Sequence, residues 1–243
     1  MYSLQYSQIE YSTGYSPSTR TYGGAYSFST SQVVPQHYHI DPVSVLTFSK
    51  DESVHFEPDS FLNPLRPETE TVHDESVIMD YVREAFQAVF NSPFPSNIQL
   101  TVCSDAHFKS EHAKTGSVWS DGIVGFSLNT QGKGINKIFV RQDKLDRVLL
   151  TIGHEIGHVL TPSLVDGRDE EAKAYSFSLA WMDVIRERNI AGIADCLLPR
   201  PAVNGLHDVA FDFTMKLLNQ GKKAMDVFKD IVYGVVTFGG FYG

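Results

Sequence analysis

The spacing of apolar residues predicts a domain that contains both helices and strands. Over residues 74–91 apolar side chains recur every three or four positions, which is the period of one buried helix face. Three shorter apolar runs, over residues 98–103, 122–128 and 135–140, have the length and composition of strands. A helix followed by three strands is therefore expected.

Two further helices are predicted after the strands. Residues 143–160 carry a broad apolar stripe, and Asp143 is the expected N-cap of this helix. A polar turn then leads to a helix whose first turn carries Glu170 and Glu171. We therefore expect an α+β fold with its main core over residues 72–190.

The segments on either side of this core have a different composition. Residues 1–40 combine scattered tyrosines with Ser, Thr, Gln and Gly, which is typical of an arm without a core of its own. Residues 41–71 are expected to form an extended, proline-rich linker, which contains a candidate strand at 43–48 and, at 58–67, a stretch that cannot run as a helix. Residues 191–243 are expected to form two amphipathic helices and an apolar tail that docks as a strand. These helices span residues 206–217 and 224–232, and the tail spans 235–243.

Composition and charge argue against several classes of function. The chain has 243 residues, of which 42% are hydrophobic, and a net charge of −9. Since it lacks runs of Lys and Arg, neither nucleic acid nor an anionic membrane is expected as its main partner. It also lacks a stretch of about 18 apolar residues and a signal-peptide pattern, so we expect no membrane span and a location in the cytoplasm or in a particle assembled inside a cell. Cys103 and Cys196 are expected to be two buried thiols rather than a disulfide.

The second predicted helix contains the sequence His154-Glu155-Ile156-Gly157-His158. Helical spacing places the two imidazoles on one face, one turn apart, with the carboxylate of Glu155 beside them. Two histidines and one further carboxylate can hold a catalytic zinc and leave its fourth position to water, whose pKa the metal lowers toward about 7. Glu155 is then the expected general base, which takes the proton of that water and passes it to the leaving amine.

The third zinc ligand is expected from the next predicted helix, where Glu170 and Glu171 are adjacent. Because adjacent helical residues point about 100° apart, only one of them can face the metal. The competing interpretation is that the zinc is structural or absent and that the fold is that of a peptidase that has lost its activity. The intact Glu155 argues against it, since a structural site has no use for a base.

The motif His154 to His158, followed by Glu171-Ala172-Lys173-Ala174-Tyr175-Ser176, resembles the glutamate-type zincins, or gluzincins, and particularly the small minigluzincin-like members. The resemblance covers about residues 72–190. It implies a zincin-like catalytic domain made of a backing helix, a small mixed sheet, an active-site helix and a glutamate helix. In this family the ligand tends to be the Glu directly before an Ala, which implies Glu171. The resemblance also implies that residues 122–128 form the sheet edge that accepts an extended peptide.

Two further expectations depend on this resemblance. Thermolysin-like members have an Asp four residues after the ligand Glu, which orients a ligand histidine. This chain has Tyr175 there, so a partner for His154 or His158 must come from elsewhere. His207, beside Asp208, is a candidate catalytic residue, because a downstream histidine polarises the scissile carbonyl in thermolysin-like enzymes. The alternative role for His207 is that of a capping or core histidine.

Two other histidine pairs are weaker metal candidates. His37 and His39 would share one face of a strand, and His107 and His112 lie in a predicted polar loop. Neither pair has a third ligand at suitable spacing. We therefore do not expect a second metal site.

Two hypotheses about function follow. The main one is a zinc-dependent peptidase that cleaves a peptide or protein substrate, with Zn2+ held by His154, His158 and Glu171 and with Glu155 as general base and acid. The alternative is a structural or assembly protein, such as one from a viral or filamentous particle, built on a zincin-like scaffold. In that case the arm at residues 1–40 would grip neighbours and support self-association.

Overall fold

The computed structural model describes residues 55–198 and 209–242. The strands are β1 Thr71–Val72, β2 Ile98–Cys103, β3 Gly125–Leu128, β4 Asn136–Arg141 and β5 Asp143–Lys144. The helices are α1 Glu75–Phe90, α2 Asp105–Ala113, α3 Leu145–Val159, α4 Gly167–Arg188, α5 Val209–Asn219, α6 Ala224–Val232 and α7 Phe238–Tyr242. The described elements thus form an α+β arrangement with small sheets. Outside the described residues lie the predictions for the arm at 1–40, the strand at 43–48, the pair His37 and His39, and His207.

Three strands form a small mixed sheet. β2 pairs in parallel with β4, whereas β3 pairs antiparallel with β4, with Phe126 opposite Phe139. The order β2-β4-β3 leaves β3 at one edge of this sheet. The prediction of an edge strand within residues 122–128 is therefore confirmed, although the strand begins only at Gly125.

The backing helix α1 begins and ends close to the predicted positions. The carboxylate of Asp74 accepts a hydrogen bond from the backbone N–H of Ser76 and caps the first turn. Asn91, in the left-handed conformation, ends the helix. Its buried face packs against α3 and α4. Periodicity was a good guide here because the helix is amphipathic over its whole length.

Helices α3 and α4 make the central contact of the core, and glycine makes it close. All residues of α3 except Arg147 are buried. A Cβ added at Gly157 would lie 2.8 Å from Cα of Ala174 in α4, and one at Gly153 would collide with the indole of Trp181. These two glycines therefore let the two backbones approach, which brings the side chains of α4 next to the motif on α3.

Asp143 is not the N-cap of α3, contrary to the prediction. It pairs with Val72 in the two-stranded ladder of β1 and β5, and the N-cap is Lys144, which makes no capping side-chain hydrogen bond. The Asp143 carboxylate accepts a hydrogen bond from Nε of Arg147 instead, at 2.7 Å. The helix begins at Leu145, one residue too late for Asp143 to be its N-cap.

A helix was missed between β2 and β3, so the prediction that His107 and His112 lie in a polar loop is wrong. Both residues are in α2, of whose nine residues only Phe108 and His112 are buried. Two buried residues one turn apart are too few to give a helical period in the sequence. α2 nonetheless packs on the sheet, with Phe108 in edge contact with Phe126 of β3.

The segment predicted as an extended linker contributes to the core. Residues Pro58–Phe61 form a 3-10 helix, so the prediction that the stretch at 58–67 cannot run as a helix is wrong for these four residues, because proline is accepted at the first helical position. Phe56 and Phe61 are buried, and Arg66 forms an ion pair with the buried Asp146 of α3 at 2.5 Å. The segment is therefore fastened to the helix that carries the motif.

The C-terminal helices α5 and α6 agree with the predicted ones over the described residues. The apolar tail does not dock as a strand, because residues 238–242 form the short helix α7. Its first backbone N–H, that of Phe238, donates to the carboxylate of Asp169 at the start of α4. The Phe238 ring also covers the guanidinium of Arg168, 4.5 Å away.

Two further expectations concern the cysteines and membrane-spanning helices. Cys103 and Cys196 are both buried free thiols, as predicted. Among residues 55–198 and 209–242, every helix is too short or too polar to cross a bilayer.

Candidate metal centre

His154 and His158 lie one turn apart on α3 and face the same point. Their Nε2 atoms are 3.2 Å apart, and the two rings meet edge to face with centroids 4.8 Å apart. His154 is 2% exposed and His158 is 8% exposed, so both sit at the base of a nearly closed site. Two acceptor nitrogens at this separation repel each other unless a cation or a proton lies between them.

Glu171 of α4 completes a three-residue group. Its carboxylate oxygens lie 3.4 Å from Nε2 of His154 and 3.6 Å from Nε2 of His158. Within the described part of the chain, this is the one group of His, Cys, Asp or Glu whose ligand atoms converge, all within 4.8 Å of one another. Of the two adjacent glutamates, Glu171 is thus the one that the structure brings to both histidines.

The distances within this group fit a tetrahedral metal ion. Metal–ligand bonds of about 2.0–2.1 Å at tetrahedral angles separate neighbouring ligand atoms by about 3.3–3.4 Å. The Nε2–Nε2 separation of 3.2 Å is close to this value, and the separations of 3.4 and 3.6 Å join each Nε2 atom to a different oxygen of Glu171. Two imidazoles and one carboxylate suit zinc and also other first-row divalent ions.

Each histidine has a hydrogen-bond partner for its other ring nitrogen. Nδ1 of His158 donates to Glu170 at 2.9 Å, and Nδ1 of His154 donates to the hydroxyl of Ser178 at 3.2 Å. The Ser178 hydroxyl itself donates to the carbonyl of Ala174, so its oxygen is available to accept. With both Nδ1 atoms protonated, both Nε2 lone pairs point into the site, as metal ligation requires.

Glu170 is part of a buried charged network. It forms an ion pair with Lys173 at 2.8 Å, and neither side chain has any exposed surface. Its second oxygen accepts the backbone N–H of Leu164 at 2.8 Å, and Lys173 also reaches the carbonyl of His158 at 3.3 Å. Burial lowers the pKa of Lys173, whereas His158 and Lys173 hold the pKa of Glu170 below its usual value in spite of burial. The network therefore keeps a charged carboxylate against His158.

Glu155 lies between α3 and the edge strand β3. A Cβ at Gly125 would lie 2.5 Å from Cγ2 of Thr151 and 3.1 Å from a Glu155 carboxylate oxygen, so glycine lets β3 lie close to this face of α3. Ser127, two residues along the same face of β3, donates a hydrogen bond to Glu155. Burial raises the pKa of Glu155, which is 5% exposed. This is the environment in which a carboxyl group can accept, hold and release a proton.

The carboxylates around His158 also change its own protonation in the metal-free protein. Burial alone would lower the pKa of His158, but the negative charges of Glu171, Glu170 and Glu155 together raise it to about 9. The site therefore attracts positive charge, and a divalent cation would satisfy the same field.

Two aromatic rings contact the imidazole of His154. Phe56 stacks on its imidazole, with centroids 4.3 Å apart and planes 14° apart, and Tyr175 meets it edge to face at 5.1 Å. Tyr175 occupies the position that thermolysin-like members give to an Asp, and it contributes ring contact there. Phe56 also lines a cavity of about 340 Å3 that includes Gly122 and Val124, the residues just before β3. The other walls of this cavity include Arg141 and Arg147, and its link to the metal centre is Phe56.

The other histidine candidates do not join this group. His107 pairs with Glu111 at 3.4 Å on the surface of α2, and His112 packs edge-on against Trp119 and Phe126. His207 lies outside the described residues. Sequence reasoning weighed Glu170 only as a ligand and missed Ser178 and Phe56 altogether.

No protein-family model matches the chain, and comparisons with curated proteins and with solved structures find no significant match.

Proposed function

We propose that this protein is a zinc-dependent peptidase, a small metalloendopeptidase of the gluzincin type. The observation that carries the proposal is the convergence of His154, His158 and Glu171, with the buried carboxylate of Glu155 next to them and next to an edge strand. A scaffold without catalysis would leave two facing imidazole nitrogens and a desolvated carboxylate without a use, and such groups cost stability.

The ligand roles follow from the contacts. His154 and His158 would hold the zinc through Nε2, and Glu171 through a carboxylate oxygen. Bound zinc supplies Lewis-acid chemistry, since it lowers the pKa of a water molecule and polarises a carbonyl group. Ser178 and Glu170 accept hydrogen bonds from the two Nδ1 atoms, so Nε2 is the ring nitrogen of each histidine that would bind the metal.

Glu155 would carry the proton during hydrolysis. One water molecule is consumed: its oxygen bonds to the carbonyl carbon, the C–N bond breaks, and the products are a carboxylic acid and an amine. Glu155 takes the proton of the water on a carboxylate oxygen and delivers it to the amine nitrogen. Its raised pKa supports this role, because a proton that it accepts is retained until the amine leaves. Ser127 orients the carboxylate by its hydrogen bond.

The substrate would bind as an extended strand along β3. Within the described residues β3 pairs with β4 on one side only, so its other edge can hydrogen-bond a peptide backbone. Such a peptide would pass over Glu155, which Gly125 and Ser127 contact.

The test compares the full chain with Glu155→Gln, which keeps the shape of the side chain and removes its basicity. Both proteins are loaded with zinc, analysed for bound metal, and incubated with a library of unstructured peptides that is read by mass spectrometry. We expect one zinc per chain in both, and a rate of peptide cleavage at least about 100-fold lower in Glu155→Gln. Glu84→Gln, an exposed change on α1, is the control and should cleave like the wild type.

Two results would contradict the proposal. One is a wild-type protein that binds no zinc under these conditions. The other is peptide cleavage that Glu155→Gln and the wild type carry out at the same rate, because the activity would then come from another site or a contaminant.

A further inference from the structure

We propose that His55 is a second catalytic residue of this site and hydrogen-bonds the substrate oxygen on which negative charge develops. The inference rests on the peptidase function proposed above. It adds a residue that lies outside the motif and upstream of every element that the gluzincin resemblance covers.

The position of His55 next to the metal centre follows from its neighbours. Phe56, the next residue, stacks on the ligand His154. Cδ2 of His55 is 3.4 Å from the place that a Cβ on Gly122 would take, and Gly122 leads into the edge strand β3. The charge of Glu171 also acts on the imidazole of His55. His55 thus lies next to the segment that leads into β3 and next to Phe56, which stacks on the proposed ligand His154.

One ring nitrogen of His55 has no hydrogen-bond partner. Across residues 55–198 and 209–242, only Nε2 of His55 and Oγ of Ser163 are buried side-chain polar atoms left unpaired. Burial without a partner is unfavourable, so native proteins retain few such atoms, and a functional site is one of the places that explain them. A substrate oxygen that arrives only in the complex would supply the missing partner.

The composition of the converging group argues against metal ligation by His55. His55 is not part of the group whose donor atoms lie within 4.8 Å of one another, so it is not a fourth ligand in this conformation. A hydrogen-bond donor just beyond the ligands is where a substrate carbonyl oxygen can be reached. Burial lowers the pKa of His55, although Glu171 and Glu57 oppose this effect, so the imidazole is neutral at neutral pH. A neutral imidazole can donate to a developing oxyanion through its N–H group.

The experiment uses the zinc-loaded full chain and three variants. His55→Phe removes the donor and keeps an aromatic ring, and His55→Gln keeps an N–H donor in a different shape. His107→Phe is the control, because it replaces an imidazole on the surface of α2 that pairs with Glu111 at 3.4 Å. The measurements are kcat and KM for one cleaved peptide, affinity for a phosphinic peptide that mimics the tetrahedral transition state, and zinc affinity by competition with a chelator.

We expect His55→Phe to lower kcat about 100-fold, which is typical for the loss of one oxyanion donor, and to leave KM nearly unchanged. The affinity for the phosphinic peptide should fall by a similar factor, and zinc affinity should stay the same. His55→Gln should recover part of both losses. His107→Phe should behave like the wild type in all three measurements.

The inference is overturned if His55→Phe keeps wild-type kcat and phosphinic peptide affinity. It is also overturned if zinc affinity falls in parallel, because His55 would then act on the metal or its ligands. A wild-type protein that holds zinc but neither cleaves peptides nor binds the phosphinic peptide refutes the peptidase function, and the role of His55 falls with it. Cleavage that depends on Glu155 but not on His55 refutes only the inference.

Discussion

His154 and His158 belong to the same helix and face the same point, yet their surroundings differ. Around His158 the contacts are charged: Glu170 accepts its Nδ1–H, and Lys173 pairs with Glu170 in a fully buried network. Around His154 they are uncharged, with Ser178 at its Nδ1 and Phe56 stacked on its ring. A carboxylate strengthens the basicity of one ligand, while a hydroxyl and an aromatic ring mainly fix the orientation of the other. Substitutions on the His158 side and on the His154 side of the site should therefore change stability and zinc affinity to different extents.

The largest effect is expected from Lys173→Met. This change removes Lys173 from the buried carboxylate of Glu170 and leaves His158 as its remaining partner, and breaking a buried pair in this way costs about 3–5 kcal/mol in the free energy of unfolding. Chemical denaturation of the metal-free protein measures the loss. The double variant Lys173→Met with Glu170→Gln should regain much of it, because no unpaired charge remains.

The control for this prediction is Arg83→Met, which removes the partner of Asp80 in an exposed pair on α1 and should change little. If Lys173→Met unfolds no more readily than Arg83→Met, the charged network does not stabilise the His158 side of the site.

The next effect concerns pH in the metal-free protein. The pKa of His158 is raised from 6.5 to about 9, so the contribution of this residue to stability is complete below pH 6.5 and is lost as the pH rises through 9. The loss is on the order of 3 kcal/mol. Denaturation curves between pH 6 and pH 9.5 should show a steeper decline for the wild type than for His158→Gln. Equal declines in both proteins would mean that the carboxylates do not hold a proton on His158.

Zinc affinity separates the two histidine partners more directly. Loss of an outer partner of a metal-bound histidine lowers metal affinity about 10–100-fold. We expect Glu170→Gln to lie near the upper end of this range and Ser178→Ala near the lower end, since only the first removes a charge. Competition with a chelator measures both. The reverse order would show that the uncharged side of the site governs affinity.

Ser176→Ala is a matched control for Ser178→Ala. Both serine hydroxyls are buried in α4 and donate to the carbonyl four residues earlier, but only Ser178 contacts a histidine. Ser176→Ala should therefore bind zinc like the wild type.

An effect of similar size is expected from Gly157→Ala, which changes the surroundings of both histidines together. The added methyl group would lie 2.8 Å from Cα of Ala174, so α3 and α4 must separate, at a cost of about 1–3 kcal/mol in stability. Zinc affinity should also fall, because His154 and His158 come from one helix and Glu171 from the other. Gly239→Ala in α7 is the control, because no atom lies within 4 Å of the position that its added Cβ would take. Thermal unfolding that is the same for both variants would contradict the close helix contact.

The parts of the fold that could be predicted are those with a regular period. α1 and β2 have nearly the predicted bounds, because each has one consistent buried pattern. α2 could not be predicted because it buries only two residues. α7 could not be predicted because it buries none and contains two glycines. The local signal in such segments is weaker than the tertiary contacts that shape them.

For the site, the spacing of the motif and the family resemblance indicated the candidate ligands but not the residues that contact them. The choice of Glu171 came from the resemblance, and the structure brings that residue to both histidines. Ser178 is seven residues after Glu171, so the helical period could have placed both on one face. Phe56 and His55 could not have been found this way, because their proximity to His154 depends on how distant segments pack.

The central claim is that one zinc ion is bound by two imidazoles and one carboxylate, those of His154, His158 and Glu171. X-ray absorption spectroscopy at the zinc edge of the loaded full chain tests it most directly. The account predicts one zinc per chain, two imidazole ligands at about 2.0–2.1 Å and oxygen in the remaining positions. A spectrum without imidazole scattering, or with sulfur ligands, would contradict it.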